Sequence, residues 1–132
     1  MTPFGQKIRD LRTTRGSSLK EMAAALRVTP AYLSALEHGR RGRPSWRLVQ
    51  SIIGYFNVIW DEAEEIERLA RISHPRITID TAGLDPKATE LANRLAEEIA
   101  HLSGAEMEKL LAALPARPRR PRQTARKPVR TR

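Results

Sequence analysis

The sequence predicts an all-α protein: five short helices in one small domain, then a short strand, a further helical segment and a basic tail. Two observations carry this prediction. Apolar residues recur every three or four positions along most of the first 114 residues, as on the buried side of a helix. Capping residues stand where most of these periodic stretches begin, and glycine stands where several of them end.

The first three predicted helices are short and closely spaced. Residues 3–15 carry apolar side chains at helical spacing, and the capping box of Ser18 and Glu21 starts the second helix. Thr29, followed by a proline, starts the third helix, which runs to His38. Only a turn separates the second and third helices, so they must cross steeply. This arrangement leaves the outer side of the third helix free, as in units that place a helix in the DNA major groove.

Two more helices complete the predicted domain. Ser45 caps the fourth helix, and Asp61 caps a fifth helix that is rich in glutamate near its start. The fourth helix is expected to turn these apolar side chains inward: Trp46, Val49, Ile52, Ile53 and Phe56.

The rest of the chain alternates between ordered and featureless segments. Residues 76–80 alternate polar and apolar side chains, which predicts a short strand. A lone strand is unstable, and a copy of itself across a two-fold axis would be its partner. Residues 86–102 and a last short stretch to Leu114 are predicted helices. Residues 115–132 offer nothing to bury and are expected to be disordered.

The charge of +9 is distributed unevenly. Residues 1–60 carry ten basic and three acidic side chains, whereas residues 61–114 carry six basic and twelve acidic ones. Residues 115–132 carry eight basic side chains and no acidic one. Basic surfaces favour phosphate polyanions, although scattered arginine also serves solubility. This division predicts a DNA-binding part, a helical dimerisation part and a basic tail. The tail either adds non-specific affinity for DNA or only solubilises the chain.

Several functional classes find no support. The chain has no cysteine, which excludes thiol chemistry and cysteine-ligated zinc. No apolar run approaches the roughly 18 residues of a membrane span, and no signal peptide is visible, so we expect a cytoplasmic, nucleoid-associated protein without a membrane partner. His38, His74 and His101 lack metal-ligand spacing, and no nucleophile motif or phosphate-binding glycine loop occurs. We therefore expect no catalytic residues, no cofactor and no metal.

The N-terminal residues resemble the lambda-repressor-like (Cro/phage-repressor, XRE) helix-turn-helix family over about residues 4–58. These residues carry the resemblance, in order: Gly5, Ile8, Arg9, Arg12, Gly16, Met22, Ala23, Val28, Tyr32, Leu33, Ser34, Leu36, Glu37, Gly39, Pro44 and Ser45. The resemblance implies a bundle of about five helices that binds operator DNA, usually as a dimer. It also implies a structural salt bridge between Arg12 and Glu37. One departure is Arg27, which stands at a turn position that the family usually fills with glycine.

The resemblance further implies which residues meet double-stranded DNA. The outward positions of the third helix, the recognition helix, are expected to contact bases: Thr29, Pro30, Ala31, Tyr32, Ser34, Ala35 and His38. Most are small, so specificity should rest on methyl contacts, water and DNA shape. For Tyr32, packing or a phosphate contact remains an equal alternative. The expected phosphate contacts are Ser18, Lys20, Arg40, Arg41 and Arg43, the arginines forming a solvated turn if they meet no phosphate.

The sequence thus predicts a sequence-specific transcriptional regulator, acting as a homodimeric repressor by operator occlusion. The acidic residues 61–114 would form the dimer, because DNA would repel them. Intramolecular packing of the same leucines is the plain alternative. The alternative function is an antitoxin of a toxin–antitoxin pair, which regulates itself through the same helix-turn-helix unit and uses its other half to mask a toxin.

Overall fold

Seven α-helices account for most of residues 1–116, the part of the chain that the computed structural model describes. Their order is α1 Pro3–Thr14, α2 Leu19–Leu26, α3 Pro30–Glu37, α4 Trp46–Phe56, α5 Trp60–Arg71, α6 Pro86–Glu98 and α7 Gly104–Ala113, with a 3₁₀ helix at Ile99–His101. The predicted all-α class is confirmed for this part of the chain. The predicted disorder of residues 115–132 falls almost wholly on residues outside the described range.

Side chains at the helix starts explain most of these boundaries. Six of the seven α-helices of residues 1–116 begin at a side chain that accepts a backbone hydrogen bond from the first turn: Thr2, Ser18, Thr29, Ser45, Asp85 and Ser103. Helix α5 is the exception. Its N-cap is Ile59, which makes no side-chain cap, and Asp61 lies inside the first turn. The predicted Asp61 cap is therefore wrong, because the helix begins earlier than the carboxylate.

The first compact unit, Met1–Thr78, holds helices α1 to α5 around one apolar core. The core is formed by these buried side chains: Phe4, Ile8, Leu11, Met22, Ala23, Leu33, Leu36, Val49, Ile52, Phe56, Val58, Ile66 and Ala70. Helix α5 packs against α1 and α4 and supplies the last two of them. This helix is the fifth helix of the predicted bundle, and its acidic residues also fall in the predicted dimerisation region, residues 61–114.

Two close contacts hold α1 against its neighbours. A Cβ atom on Gly5 would lie 2.0 Å from the backbone oxygen of Glu37, so only glycine lets α1 approach the end of α3 this closely. At the other side, the backbone N–H of Phe4 donates to the hydroxyl of buried Ser73 over 2.8 Å. This bond ties the start of α1 to the residues that follow α5. The first contact thus fixes α1 against α3, and the second fixes it against the residues after α5.

Two sequence expectations are corrected here. Residues 76–80 form no strand, and Ile77 and Ile79 are exposed, because nothing in the described part of the chain pairs with them. Trp46 does not face inward: it is 74% exposed, at the first position of α4. The helical period places it on the apolar side, but the first turn of α4 extends past the elements that cover the rest of that side.

The second compact unit begins at Ile79 and contains α6 and α7. No side chain of either helix is buried. Helix α6 ends in the 3₁₀ helix Ile99–His101, and Ser103 starts α7 with a capping box. Leu91, Leu110 and Leu111 are exposed, whereas Leu95 and Leu102 are half-buried.

Candidate nucleic-acid interface

The turn between α2 and α3 is tight because one residue takes a left-handed backbone conformation. Arg27 ends α2 with φ 61° and ψ 41°. The backbone N–H of Val28 donates to the oxygen of Ala23 over 3.0 Å, which closes the turn. Ala23 is fully buried where the two helices meet, so a larger side chain would push them apart. The turn brings α2 and α3 into contact, and their predicted steep crossing stays a prediction.

Helix α3 has a buried side and an outer side. Leu33, Leu36 and Glu37 are buried against the core. The predicted base-contacting residues lie on the other side or at the helix ends: Thr29, Pro30, Ala31 and His38 are exposed, and Tyr32, Ser34 and Ala35 are half-buried. The structure therefore brings this set together on one surface. Their contacts with bases stay a prediction.

Local hydrogen bonds fix both ends of this surface. The hydroxyl of Thr29 accepts the backbone N–H of Tyr32 over 3.0 Å. At the far end, Nδ1 of His38 lies 2.8 Å from the backbone oxygen of Ser34. Because that oxygen can only accept, Nδ1 is the donor of this hydrogen bond, and Nε2 stays available for another partner. Through Nε2, His38 can hydrogen-bond a base edge.

An ion pair under the recognition helix holds it in place. The guanidinium of Arg12 meets both carboxylate oxygens of Glu37, with Nε and Nη2 each 3.2 Å away. The Glu37 side chain is only 3% exposed, so the two-point contact with Arg12 compensates its lost hydration. This is the structural salt bridge that the resemblance implies. It joins α1 to the end of α3 on the buried side of that helix.

A glycine turn places the arginine segment, residues 40–43, directly beyond the recognition helix. Gly39 has φ 76°, and the backbone N–H of Arg40 donates to the oxygen of Ala35 over 2.8 Å. The predicted phosphate-contacting residues Arg40, Arg41 and Arg43 are all exposed. The guanidinium of Arg41 lies over the ring of half-buried Tyr32. The segment is thus connected to the recognition helix at two points.

The start of α2 is less open to anions than the sequence suggests. Ser18 and Lys20 are exposed, as expected for phosphate contacts. However, the backbone N–H of Ser18 donates to the carboxylate of Glu21 over 2.9 Å, and this bond lowers the pKa of Glu21. A negative charge therefore already occupies the helix N-terminus. The Ser18 hydroxyl also accepts the Glu21 N–H, which leaves its own hydrogen free to donate.

Sequence reasoning missed one cation of this surface. Arg47 is exposed in the first turn of α4, four residues after Arg43. Beside it, Trp46 exposes most of its ring. The capping residue Ser45 could have indicated this, because it places Trp46 and Arg47 in the first turn of α4. Side chains in a first turn can lie beyond the core that the rest of the helix covers. Arg47 therefore adds an exposed cation four residues after the arginine segment.

The described residues offer little for other chemistry. No group of three or more histidine, aspartate or glutamate side chains is placed to hold a metal ion within residues 1–116. No helix of that range is long and apolar enough to cross a membrane. What the surface presents is a small-residue helix face flanked by guanidinium groups.

Comparison with known families decides what kind of surface this is, because a helix-turn-helix domain model matches residues 3–66. Residues 3–66 form a helix-turn-helix domain. The predicted resemblance is thereby confirmed, and the matched region extends into α5, in agreement with the shared core of α1 to α5.

Two curated relatives share this helix-turn-helix domain. One is the uncharacterized HTH-type transcriptional regulator RghRB of Bacillus subtilis, 30% identical over 61 residues, which are 46% of this chain and 44% of the relative. The other is the HTH-type transcriptional regulator DdrOP3 of Deinococcus deserti, 36% identical over 63 residues, which are 47% of this chain and 48% of the relative. The aligned region thus spans slightly under half of each relative. No solved structure gives a significant match.

Proposed function

We propose that the protein is a sequence-specific regulator of transcription that binds double-stranded DNA as a homodimer and represses by occupying its operator. The observation that carries this proposal is the outer side of α3, where Pro30, Ala31 and His38 are exposed and which is followed by three exposed arginines. Both relatives are named as transcriptional regulators, which supports the same conclusion. The recognition helix would enter the major groove with its N-terminal end leading.

Base reading would depend on small groups and water. Ala31, Ala35 and the Thr29 methyl group can contact thymine methyl groups, while hydroxyl groups bond several base edges. His38 adds Nε2 as a hydrogen-bonding group at the far end of the helix. No side chain on the outer side of α3 can grip one base with two hydrogen bonds. Much of the specificity should therefore come from water-mediated contacts and DNA shape.

Phosphate contacts would fix the domain on the duplex. The arginine segment follows α3 directly, at the place where the DNA backbone that flanks the groove would pass. Its arginines are Arg40, Arg41 and Arg43. Arg47, in the next helix, would extend the same basic surface. Ser18 and Lys20 would contact the other side of the groove, with the Ser18 hydroxyl as donor. The basic residues 115–132 would add affinity that does not depend on sequence.

Dimerisation would set the spacing of the two recognition helices. Two copies read successive major grooves when their recognition helices lie about 34 Å apart. The exposed apolar side chains of α6 and α7 support a role for residues 61–114 in forming that dimer. The same exposed surface is also what an antitoxin would need to hold a toxin, so the antitoxin function stays the alternative.

Selection of bound sequences from random DNA with the full chain tests the proposal. If the protein binds as a homodimer, the selection should enrich an inverted repeat. Its half-sites should lie about one helical turn, or a multiple of one turn, apart. Retention of all sequences alike would contradict the proposal and favour a purely architectural role. A transcription assay with the enriched site upstream of, or overlapping, a promoter then separates repression from activation. Loss of transcription only in the overlapping position would support operator occlusion.

A further inference from the structure

Helix α6 carries a row of alternating charges along one side. Lys87, Glu90, Arg94 and Glu98 follow one another at intervals of three or four residues, so they lie on one face of the helix. The ion pairs within residues 1–116 are those of Lys7 with Glu62, Arg12 with Glu37 and Arg68 with Glu65, and none of them involves α6. The row therefore has no ionic partner within this part of the chain.

Apolar side chains border this row. Leu91 is 62% exposed, and Leu95 and Leu102 are half-buried. Together with Leu110 of α7 and the four charged residues, they line an open groove of about 420 Å³ inside the second unit. The groove follows α6 from its first turn to beyond its last. A groove with a leucine floor and charged rims fits a helix better than it fits a small ligand.

The order of the charges identifies the helix that fits. We propose that α6 of a second copy of this chain lies antiparallel along this groove, with the two-fold axis passing close to Ala92. Glu90 then faces Arg94 of the second copy, since both lie two residues from the axis position. Lys87 faces Glu98 of the second copy, since these residues lie five and six positions from the axis position. Each contact occurs twice by symmetry, which gives four ion pairs around the paired leucines.

The alternative orientation is disfavoured by the same charges. In a parallel pair in register, each charged residue lies beside its own copy, so glutamate meets glutamate and arginine meets arginine. Like charges in direct contact weaken an interface. A pattern that matches itself only when reversed is what an antiparallel pair of identical helices requires. A different protein on this groove would have no need of such a pattern.

The dimensions and the apolar content agree with this pairing. Helix α6 has 13 residues, so it is about 20 Å long and presents three to four turns to its copy. Leu91 and Leu95 of both copies meet near the axis, and Leu102 lies toward each end. Helix α7 would add its exposed Leu110 and Leu111 at the margin. The inference rests on the proposed function in one respect, because it assigns the surface that forms the proposed dimer.

Charge reversal at the central pair tests the antiparallel register. Glu90→Arg places two arginines together at both symmetric contacts, and Arg94→Glu places two glutamates together. We expect each single variant, as a full chain without DNA, to raise the dimer dissociation constant roughly tenfold in sedimentation equilibrium. An equimolar mixture of the two variants should form a heterodimer of nearly unaltered stability, because every opposed pair is then of opposite sign. The double variant Glu90→Arg/Arg94→Glu should also recover the native dissociation constant.

Ala96→Arg is the matched control, since it adds an arginine at an exposed position of the same helix, on the side away from Glu90 and Arg94, and does not line the groove. It should leave the dissociation constant within about twofold of the native value. Rescue in the mixture also rules out misfolding, because two misfolded chains would not restore each other. A dimer that both single variants leave intact, a mixture without rescue, or a monomeric native chain that assembles only with another protein would each overturn the proposal.

DNA binding by the same samples separates this inference from the proposed function. If the charge variants do not affect the dimer while the native chain binds its inverted repeat, then α6 pairing is wrong and the regulator function stands. If the dimer responds as expected while the chain selects no DNA sequence, then the pairing stands and the regulator function is wrong.

Discussion

The guanidinium of Arg41 lies over the ring of Tyr32, with its central carbon 5.4 Å from the ring centre. This contact spans the boundary between the recognition helix and the arginine segment. Because Tyr32 is half-buried, the domain holds its ring in place. The ring in turn positions the guanidinium of Arg41 by a cation–π contact. The interaction of a cation with an aromatic face is worth about 0.5–1 kcal/mol at an exposed site. We therefore expect Tyr32 to affect DNA binding partly through Arg41.

Replacing the ring of Tyr32 should weaken DNA binding through Arg41. We expect Tyr32→Leu to raise the dissociation constant for the selected operator about two- to fivefold per recognition helix, because Arg41 loses its cation–π contact. Tyr32→Phe keeps the ring and should bind nearly as the native chain does. Fluorescence anisotropy with labelled operator measures both. In the background Arg41→Ala, Tyr32→Leu should have a smaller effect, and an undiminished effect would mean that Tyr32 contacts DNA by itself.

Local signals in the sequence located the helices well. A hydroxyl or carboxylate that accepts a hydrogen bond from the next turn acts within four residues, so Ser18, Thr29 and Ser45 could be identified without knowing the fold. The buried pair of Arg12 and Glu37 came from the resemblance, since nothing local indicates that two residues 25 positions apart meet.

The wrong predictions depended on distant parts of the molecule. Residues 76–80 have the alternation of a strand, but a strand also needs a neighbour, and the described part of the chain supplies none. Trp46 has the period of a buried residue, but burial depends on how far the adjacent helices reach. Arg41 was recognised only as a charge, because its position over a ring depends on how the chain turns after Gly39.

Removing charge from the arginine segment should weaken binding to every DNA sequence and flatten its salt dependence. Arg40→Ala/Arg43→Ala removes two exposed cations per subunit and leaves the Arg41 contact in place. If all four contacts of a dimer are to phosphate, the slope of log K against log salt should fall by up to about 3.6. Titration of operator and of unrelated DNA at several salt concentrations measures this change.

The control for the arginine variant is Arg71→Ala/Arg76→Ala, which removes the same charge from exposed positions at and after the end of α5. It should alter the slope far less, because those residues lie outside the proposed interface. If the two double variants changed the salt dependence equally, the segment would act only through the net charge of the protein. If neither changed it, the arginines would be surface residues without a phosphate contact.

A glycine at position 27 should stabilise the first unit. Arg27 holds φ 61° in the turn between α2 and α3, a conformation that costs a residue with a Cβ atom about 1–2 kcal/mol. Glycine removes that strain, although its greater freedom in the unfolded chain offsets part of the gain. We expect Arg27→Gly to raise the free energy of unfolding by about 0.5–1 kcal/mol, measured by urea titration and circular dichroism without DNA. Arg27→Ala loses the same charge and keeps the strain, so an equal gain in both would contradict this explanation.

Removing one partner of the Arg12–Glu37 ion pair should lower the free energy of unfolding more than removing both partners does. Arg12→Met leaves the Glu37 carboxylate almost fully buried without its two-point partner, and we expect a loss of about 3 kcal/mol in the free energy of unfolding. Arg12→Met/Glu37→Leu removes both charges and should lose clearly less, because no buried charge is left without compensation. Arg12→Lys should fall between the two, since an ammonium group cannot match both carboxylate oxygens.

Urea titrations of the native chain, Arg12→Met, Glu37→Leu and the double variant complete a double-mutant cycle, which gives the coupling energy of the pair. Arg12→Lys is titrated in the same way. A loss in the double variant as large as the loss in Arg12→Met would mean that the contact contributes through the packing of the Arg12 stem rather than through charge compensation. DNA affinity, measured where each variant is fully folded, should change little in Arg12→Lys, because the pair holds α3 from its buried side. A large loss of affinity in a fully folded Arg12→Lys would show instead that small shifts of α3 control base reading.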